Sequence, residues 1–164
     1  MPRTGKIIKR VIEADPIHQS PQVAKLINKV MVSGKKTVAQ KIVYETLENI
    51  KAKNMDPIKT YELALENIMP RMEVRPRRVG GASYMVPSEV RGPRKQSLAI
   101  RWLIDAARSR SSKDVERLKN KPLMISKLTA EILDAANGTG KAVAKREEMN
   151  RMADANKAFA HFRW

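Results

Sequence analysis

Met72-Glu73-Val74-Arg75-Pro76-Arg77-Arg78-Val79-Gly80-Gly81-Ala82-Ser83-Tyr84-Met85-Val86-Pro87-Ser88-Glu89-Val90 is the stretch on which the reading of the fold turns. Elsewhere apolar residues recur at helical spacing. Here the rhythm breaks, and two strand-like runs, 73–79 and 84–90, flank Gly80-Gly81-Ala82-Ser83, a turn signal. The pattern predicts a β-hairpin over residues 72–90. Pro76 and Pro87 lie inside the runs, which is tolerable only where their missing N–H would face solvent, as in a two-stranded ribbon with both edges open. Such a ribbon is expected to protrude from the body. Because an isolated ribbon is marginally stable in water, its order must come from its base or from a partner.

On the N-terminal side, Ser20-Pro21 reads as a helix start, with Ser20 as N-cap and Pro21 where its absent N–H is harmless. Val23, Leu26, Ile27, Val30 and Met31 come next at helical spacing, and Ser33-Gly34 ends the run. A second helix opens near Lys36 with the stripe Ala39, Ile42, Val43, Thr46, Leu47 and Ile50. Asp56-Pro57 starts a third, carrying Ile58, Tyr61, Leu65, Ile68 and Met69 until Pro70. On the C-terminal side, Pro93 introduces a fourth helix, apolar nearly all round through Leu98, Ile100, Trp102, Leu103, Ile104, Ala106 and Ala107, and therefore central. Residues 108–121 are polar and read as a loop or exposed turn. Pro122 opens a fifth helix with Ile125, Leu128, Thr129, Ile132 and Ala136, ended by Asn137-Gly138. A sixth begins near Lys141. The expectation is a mainly α, single-domain chain (1–164) of about six helices with one protruding β-hairpin.

Its 164 residues suit one core, since a domain of this size buries roughly 68–70% of its unfolded surface. Lysine and arginine number 33 against 17 acidic residues, a formal charge of +16, which points to a polyanionic partner. No stretch reads as a membrane span or a lipidation site, so no membrane partner is expected. The absence of cysteine excludes disulfides and thiolate-bound metals, and two histidines, His18 and His161, suggest no metal site. With no signal-peptide pattern at the start, the expected location is the cytoplasm.

The densest cationic cluster brackets the hairpin: Arg71, Arg75, Arg77 and Arg78 lead in, and Arg91, Arg94 and Lys95 lie beyond it. Guanidinium groups bind phosphate bidentately and stack on bases, whereas lysine acts as a point charge. The bland alternative is a solvated ribbon whose charges guard an open edge. At the tip, Gly80, Gly81, Ala82, Ser83 and Tyr84 could admit RNA backbone, with Tyr84 stacking on a base. A second group, Arg3, Lys6, Lys9 and Arg10 in a basic N-terminal arm (1–19), continues through Lys25, Lys29, Lys35 and Lys36. A third, Lys141, Lys145, Arg146 and Arg151, sits beside Glu147 and Glu148, so ordinary helix-surface pairing is an equal alternative. Patches spread over several elements fit wrapping by a folded RNA better than one helix in a DNA groove. No nucleophile elbow, phosphate-binding glycine loop or catalytic cluster is recognisable, and neither an enzyme nor a cofactor is expected.

These residues resemble a known family, the small-subunit ribosomal protein seven family of bacterial and plastid type. Met72–Gly81 looks like its hairpin signature, and Leu98-Ala99-Ile100-Arg101-Trp102-Leu103 is similar to the helix after that hairpin in the family. Residues 15–28, Gly34-Lys35-Lys36 and the ending 151–164 agree in order. Met85 and Ser88 depart from the expected glutamine and valine, and residues 111–121 form a longer segment than the family pattern. The resemblance implies a structural constituent of the small ribosomal subunit, a primary binder of the 3′ major domain of small-subunit rRNA that nucleates head assembly. It implies a place near exit-site tRNA and the mRNA exit channel, beside neighbouring proteins of head and platform, in cytoplasmic ribosomes or, for an organellar member, the plastid stroma. The family's rRNA contacts would fall on the basic groups above together with Arg101 and Arg108. The hairpin tip, Lys141, Lys145 and Arg146 would face tRNA and mRNA. A DNA-architectural protein, whose paired β-arms enter a minor groove, is the rival, and an RNA-modifying enzyme the third reading.

Overall fold

The computed structural model describes residues 11–115 and 121–162, which form six α-helices, one β-hairpin and a terminal 3-10 helix. The order is α1 (Pro21–Val30), α2 (Lys36–Lys51), α3 (Pro57–Ile68), β1 (Met72–Val79), β2 (Ala82–Glu89), α4 (Gly92–Ser109), α5 (Leu123–Ala136), α6 (Lys141–Ala155) and the 3-10 helix (Lys157–Phe162). The two proline starts differ in chemistry. Asp56 caps α3 through its carboxylate, which accepts from the Ile58 and Lys59 amides at 3.1 and 3.3 Å. Ser20 occupies the N-cap of α1 in extended backbone, yet its side chain makes no capping bond. Pro21 alone marks that start.

α4 is the central helix, and it buries Ala99, Ile100, Trp102, Leu103, Ile104, Ala106 and Ala107 against α1, α3, α5 and α6. α5 packs on α2, α3 and α4, so the core is continuous from Val23, Leu26 and Ile27 through Leu47, Ile50 and Leu65 to Leu128, Ile132 and Val143. Helix ends are tied by side chains. The Asn67 amide donates to the Ala135 and Ala136 carbonyls at the end of α5, and Arg146 donates to the Asn67 carbonyl at the end of α3. The Ala136 and Asn67 carbonyls thereby gain partners at helix ends, and the Ala135 carbonyl, which also accepts from the Gly138 amide, gains a second.

The hairpin runs in register from Met72↔Glu89 to Val79↔Ala82. Its turn is shorter than the sequence reading: Ala82 and Ser83 already pair with Val79 and Arg78, leaving Gly80 and Gly81 as the whole loop. Both have positive φ (57° and 88°), the condition for the two-residue turn whose twist matches a hairpin. With Val79↔Ala82 as the closing hydrogen-bonded pair, pairs alternate along the ribbon, and both Pro76↔Met85 and Val74↔Pro87 are non-hydrogen-bonded pairs. The prolines therefore aim their missing N–H outward, and no ladder bond is lost.

The ribbon is not left to a partner for all of its order. β1 packs on α6, β2 packs on the 3-10 helix, and Val86 and Val90 are buried. Tyr84, expected as a free stacking platform, is half-buried, its ring 5.2 Å from Phe159 and 5.1 Å from Phe162. At the other end of the chain, Asp15 is buried and accepts from the Tyr44 hydroxyl at 2.7 Å and from the Ile17 and His18 amides. The arm read over 1–19 thus contains a turn fastened to α2, while Arg3, Lys6, Lys9 and Arg10 lie outside the described residues.

Candidate nucleic-acid interface

Arg94, Arg101 and Arg108 recur every seven residues along α4, about two turns apart, so they share one face. All three are exposed, and the line they make is about 21 Å long at 1.5 Å per residue. α1 lies alongside this helix. Lys29 lines a cleft with Arg101, Asp105 and Arg108, and Lys25 donates to the Gln96 side chain at 2.8 Å. Lys35 and Lys36 are exposed where α1 turns into α2. Two of the three basic groups are therefore joined along α4.

At the N-terminal end of α4 the stripe meets the hairpin base. Arg75, Arg77, Arg91 and Arg94 line one open cleft with Val86, Ser88 and Glu89. Arg71 and Arg78 are exposed nearby in the chain, and Lys95 is half-buried. Within the cluster Glu73, only 4% exposed, accepts from Arg75 Nε at 2.6 Å and from Arg94 Nε at 2.7 Å, and Arg75 Nη2 adds an ion pair. Burial pushes the Glu73 carboxyl upward, but the hydrogen bonds and charges of Arg94 and Arg75 outweigh it and hold the group below its ordinary value. Glu73 is ionised at neutral pH. The two arginine side chains remain about half exposed, 55% and 52%.

The third group behaves differently. Lys145 pairs with Glu148 at 2.7 Å, and Arg146 contacts Glu147 at 3.2 Å besides the α3 carbonyl, so helix-surface pairing accounts for both. Lys141 is exposed, with its Nζ 3.5 Å from the Ser109 carbonyl. At the tip Gly80, Gly81, Ala82 and Ser83 are exposed. The 3-10 helix seated beside them carries no sequence signal that ties it to this end.

A second carboxylate node faces inward. Glu131, fully buried, accepts from Arg110 Nη2 at 2.8 Å and from the Ala142 amide at 3.0 Å, while Arg110 also pairs with Asp134. It binds the end of α4 to the start of α6. Gly140 at φ 95° makes this approach possible, since a Cβ there would lie 3.1 Å from Glu131 Oε1. Among the described residues no group of acidic and histidine side chains could hold a metal ion, and no helix is long and apolar enough to cross a membrane.

An exposed, arginine-rich surface spanning α1, α4 and the hairpin base has the chemistry of a binder of folded RNA: bidentate donors for phosphates, spread over several elements. Comparison with known proteins points the same way. The family described as ribosomal protein S7p/S5e matches residues 2–157. The small ribosomal subunit protein uS7 of Caldanaerobacter subterraneus subsp. tengcongensis is 54% identical over 165 aligned residues, covering 100% of each chain. The proteins of the same name from Moorella thermoacetica and Caldicellulosiruptor bescii are 52% and 55% identical, again over 100% of each chain.

Proposed function

The chain belongs to the ribosomal protein S7p/S5e family, and from that premise we infer that it is a structural constituent of the small ribosomal subunit, an rRNA-binding protein and not an enzyme. It acts in translation as part of the ribonucleoprotein. Its contact surface is the α1, α4 and hairpin-base surface, and the observation that carries this is the joining of Lys29, Arg101 and Arg108 in one cleft and of Arg75, Arg77, Arg91 and Arg94 in another along the same helix. The target is the 3′ major domain of small-subunit rRNA. Binding there nucleates the subunit head, because a rigid helical body that touches RNA from several elements holds segments of that domain in fixed relation. Family membership sets aside the DNA-architectural reading, which explained the hairpin alone.

The hairpin tip and the start of α6 lie toward exit-site tRNA and the mRNA exit channel. The support for this is the absence of charge from Gly80 to Tyr84, which suits passing contact with a changing ligand better than tight electrostatic capture. Neighbouring proteins of head and platform meet surfaces away from the arginine stripe, and the assembly is cytoplasmic. The experiment is equilibrium binding to transcripts of the isolated rRNA domains at fixed magnesium. Preference for the 3′ major domain is expected, and equal affinity for every domain would contradict the assignment.

A further inference from the structure

Glu73 is a carboxylate in a place where plain electrostatics would not put one. It lies within the densest arginine cluster, on the surface that faces a polyanion, and its own charge repels phosphate. It is nevertheless buried, with both oxygens engaged, and its partners come from two elements: Arg75 from β1 and Arg94 from the first turn of α4. Arg94 binds Glu73 through Nε alone and Arg75 through Nε and Nη2, so the Nη groups of Arg94 and Nη1 of Arg75, on half-exposed side chains, keep donors for a ligand in the cleft that Arg77 and Arg91 also line. A long arginine side chain loses much rotamer freedom when it binds, and a side chain already held loses less.

We infer that Glu73 is a positioning residue for RNA binding: it holds Arg75 and Arg94 as a preformed clamp for a backbone phosphate of the RNA. The inference rests on the rRNA-binding reading above. The favourable start of α4 strengthens the clamp, because the helix dipole places partial positive charge at the same end and no acidic residue occupies the first turn. Two opposed effects make the idea decisive. If Glu73 only adds negative charge, removing it must tighten binding; if it positions the clamp, removing it must weaken binding even though the protein becomes more cationic.

The test uses the full chain, a transcript of the 3′ major domain of small-subunit rRNA and a salt series at fixed magnesium. Glu73→Gln is expected to weaken binding about tenfold, in line with charge-assisted hydrogen bonds to phosphate. Its slope of log affinity against log salt should fall by roughly 0.7–0.9 for each phosphate that the variant no longer neutralises. In a chain already carrying Arg75→Gln and Arg94→Gln, Glu73→Gln should cause no further weakening, since the groups it positions are gone. Arg94→Lys covers the case in which Glu73→Gln loosens the ribbon: it keeps the charge and removes the Nε bond, and about fivefold weaker binding is expected. Tighter binding by Glu73→Gln, equal weakening in both backgrounds, or unchanged affinity for Arg94→Lys would each overturn the inference. A wild-type chain that does not bind this transcript would sink the rRNA reading itself, before any variant is compared.

Discussion

Two arginine–carboxylate nodes in this chain use the same chemistry for opposite ends. At the hairpin base, buried Glu73 holds two arginines that are 55% and 52% exposed; at the junction of α4, α5 and α6, buried Glu131 holds Arg110, which is 15% exposed. The inner node closes on itself, because Arg110 directs its donors to Glu131 and Asp134, and the second Glu131 oxygen accepts the Ala142 amide. The outer node stays open, with donors left over. The side of the pair that faces water decides whether an ion pair is a strut or a binding site. A count of charges along the sequence does not distinguish them.

The largest effect comes from removing the strut. Arg110→Ala leaves the Glu131 charge buried beside a single backbone donor, and about 3–5 kcal/mol of stability should be lost in denaturant titration. Affinity of the remaining folded protein for rRNA should be unchanged. Replacing Arg75, Arg77 and Arg78 together with glutamine should act mainly on binding, which falls roughly ten- to hundredfold as charge-assisted hydrogen bonds to phosphate disappear, while stability falls less than in Arg110→Ala because Arg94 still pairs with Glu73. Equal loss of stability in both variants would erase the distinction.

Acidity probes the outer node through the strands that carry it. Glu73 has a native pKa below its unfolded value, so its contribution is fully present above about pH 4.3 and disappears as the pH falls through the lower native value. The protection of the β1 and β2 amides, taken relative to their intrinsic exchange at each pH, should fall in that window. Protection that stays constant far below the ordinary carboxylate range, until the whole chain unfolds in acid, would show that the pair does not order the ribbon. The smallest effect concerns a polar group with no partner. The Tyr61 hydroxyl is buried without a protein hydrogen bond, and burial pushes its pKa upward. Tyr61→Phe should therefore be neutral or stabilising by up to about 1 kcal/mol in thermal melts.

Much of the fold is legible in the sequence because local chemistry announces it. Asp56-Pro57 carries both a capping carboxylate and a preset φ, and the broad apolar arc of α4, from Ala99 to Ala107, marks it as central although Arg94, Arg101, Asp105 and Arg108 form one exposed face. Gly80-Gly81 announces a turn but not its length; two consecutive positive-φ residues close it in the smallest loop, which places Ala82 and Ser83 in the strand. The basic residues of the interface are readable one by one, and the seven-residue spacing of Arg94, Arg101 and Arg108 is the signal that aligns them. Three features are not legible. Glu131 looks like an ordinary polar position on α5 until Arg110 and Ala142 are brought to it. Glu73 looks like a surface strand residue until Arg94 arrives from another element. Tyr84 looks free until Phe159 and Phe162, far along the chain, cover its ring. All three depend on long-range approach, which spacing along a chain does not encode.

The central claim is that the outward arginine surface binds folded rRNA through phosphate contacts, and the salt dependence of that binding tests it most directly. With magnesium fixed so that the RNA stays folded, and on the order of ten phosphates neutralised, affinity for the 3′ major domain should fall by roughly 10³–10⁵ between about 50 and 200 mM salt. A slope near zero would contradict the account, because the +16 charge of the chain would then play no part in holding the RNA.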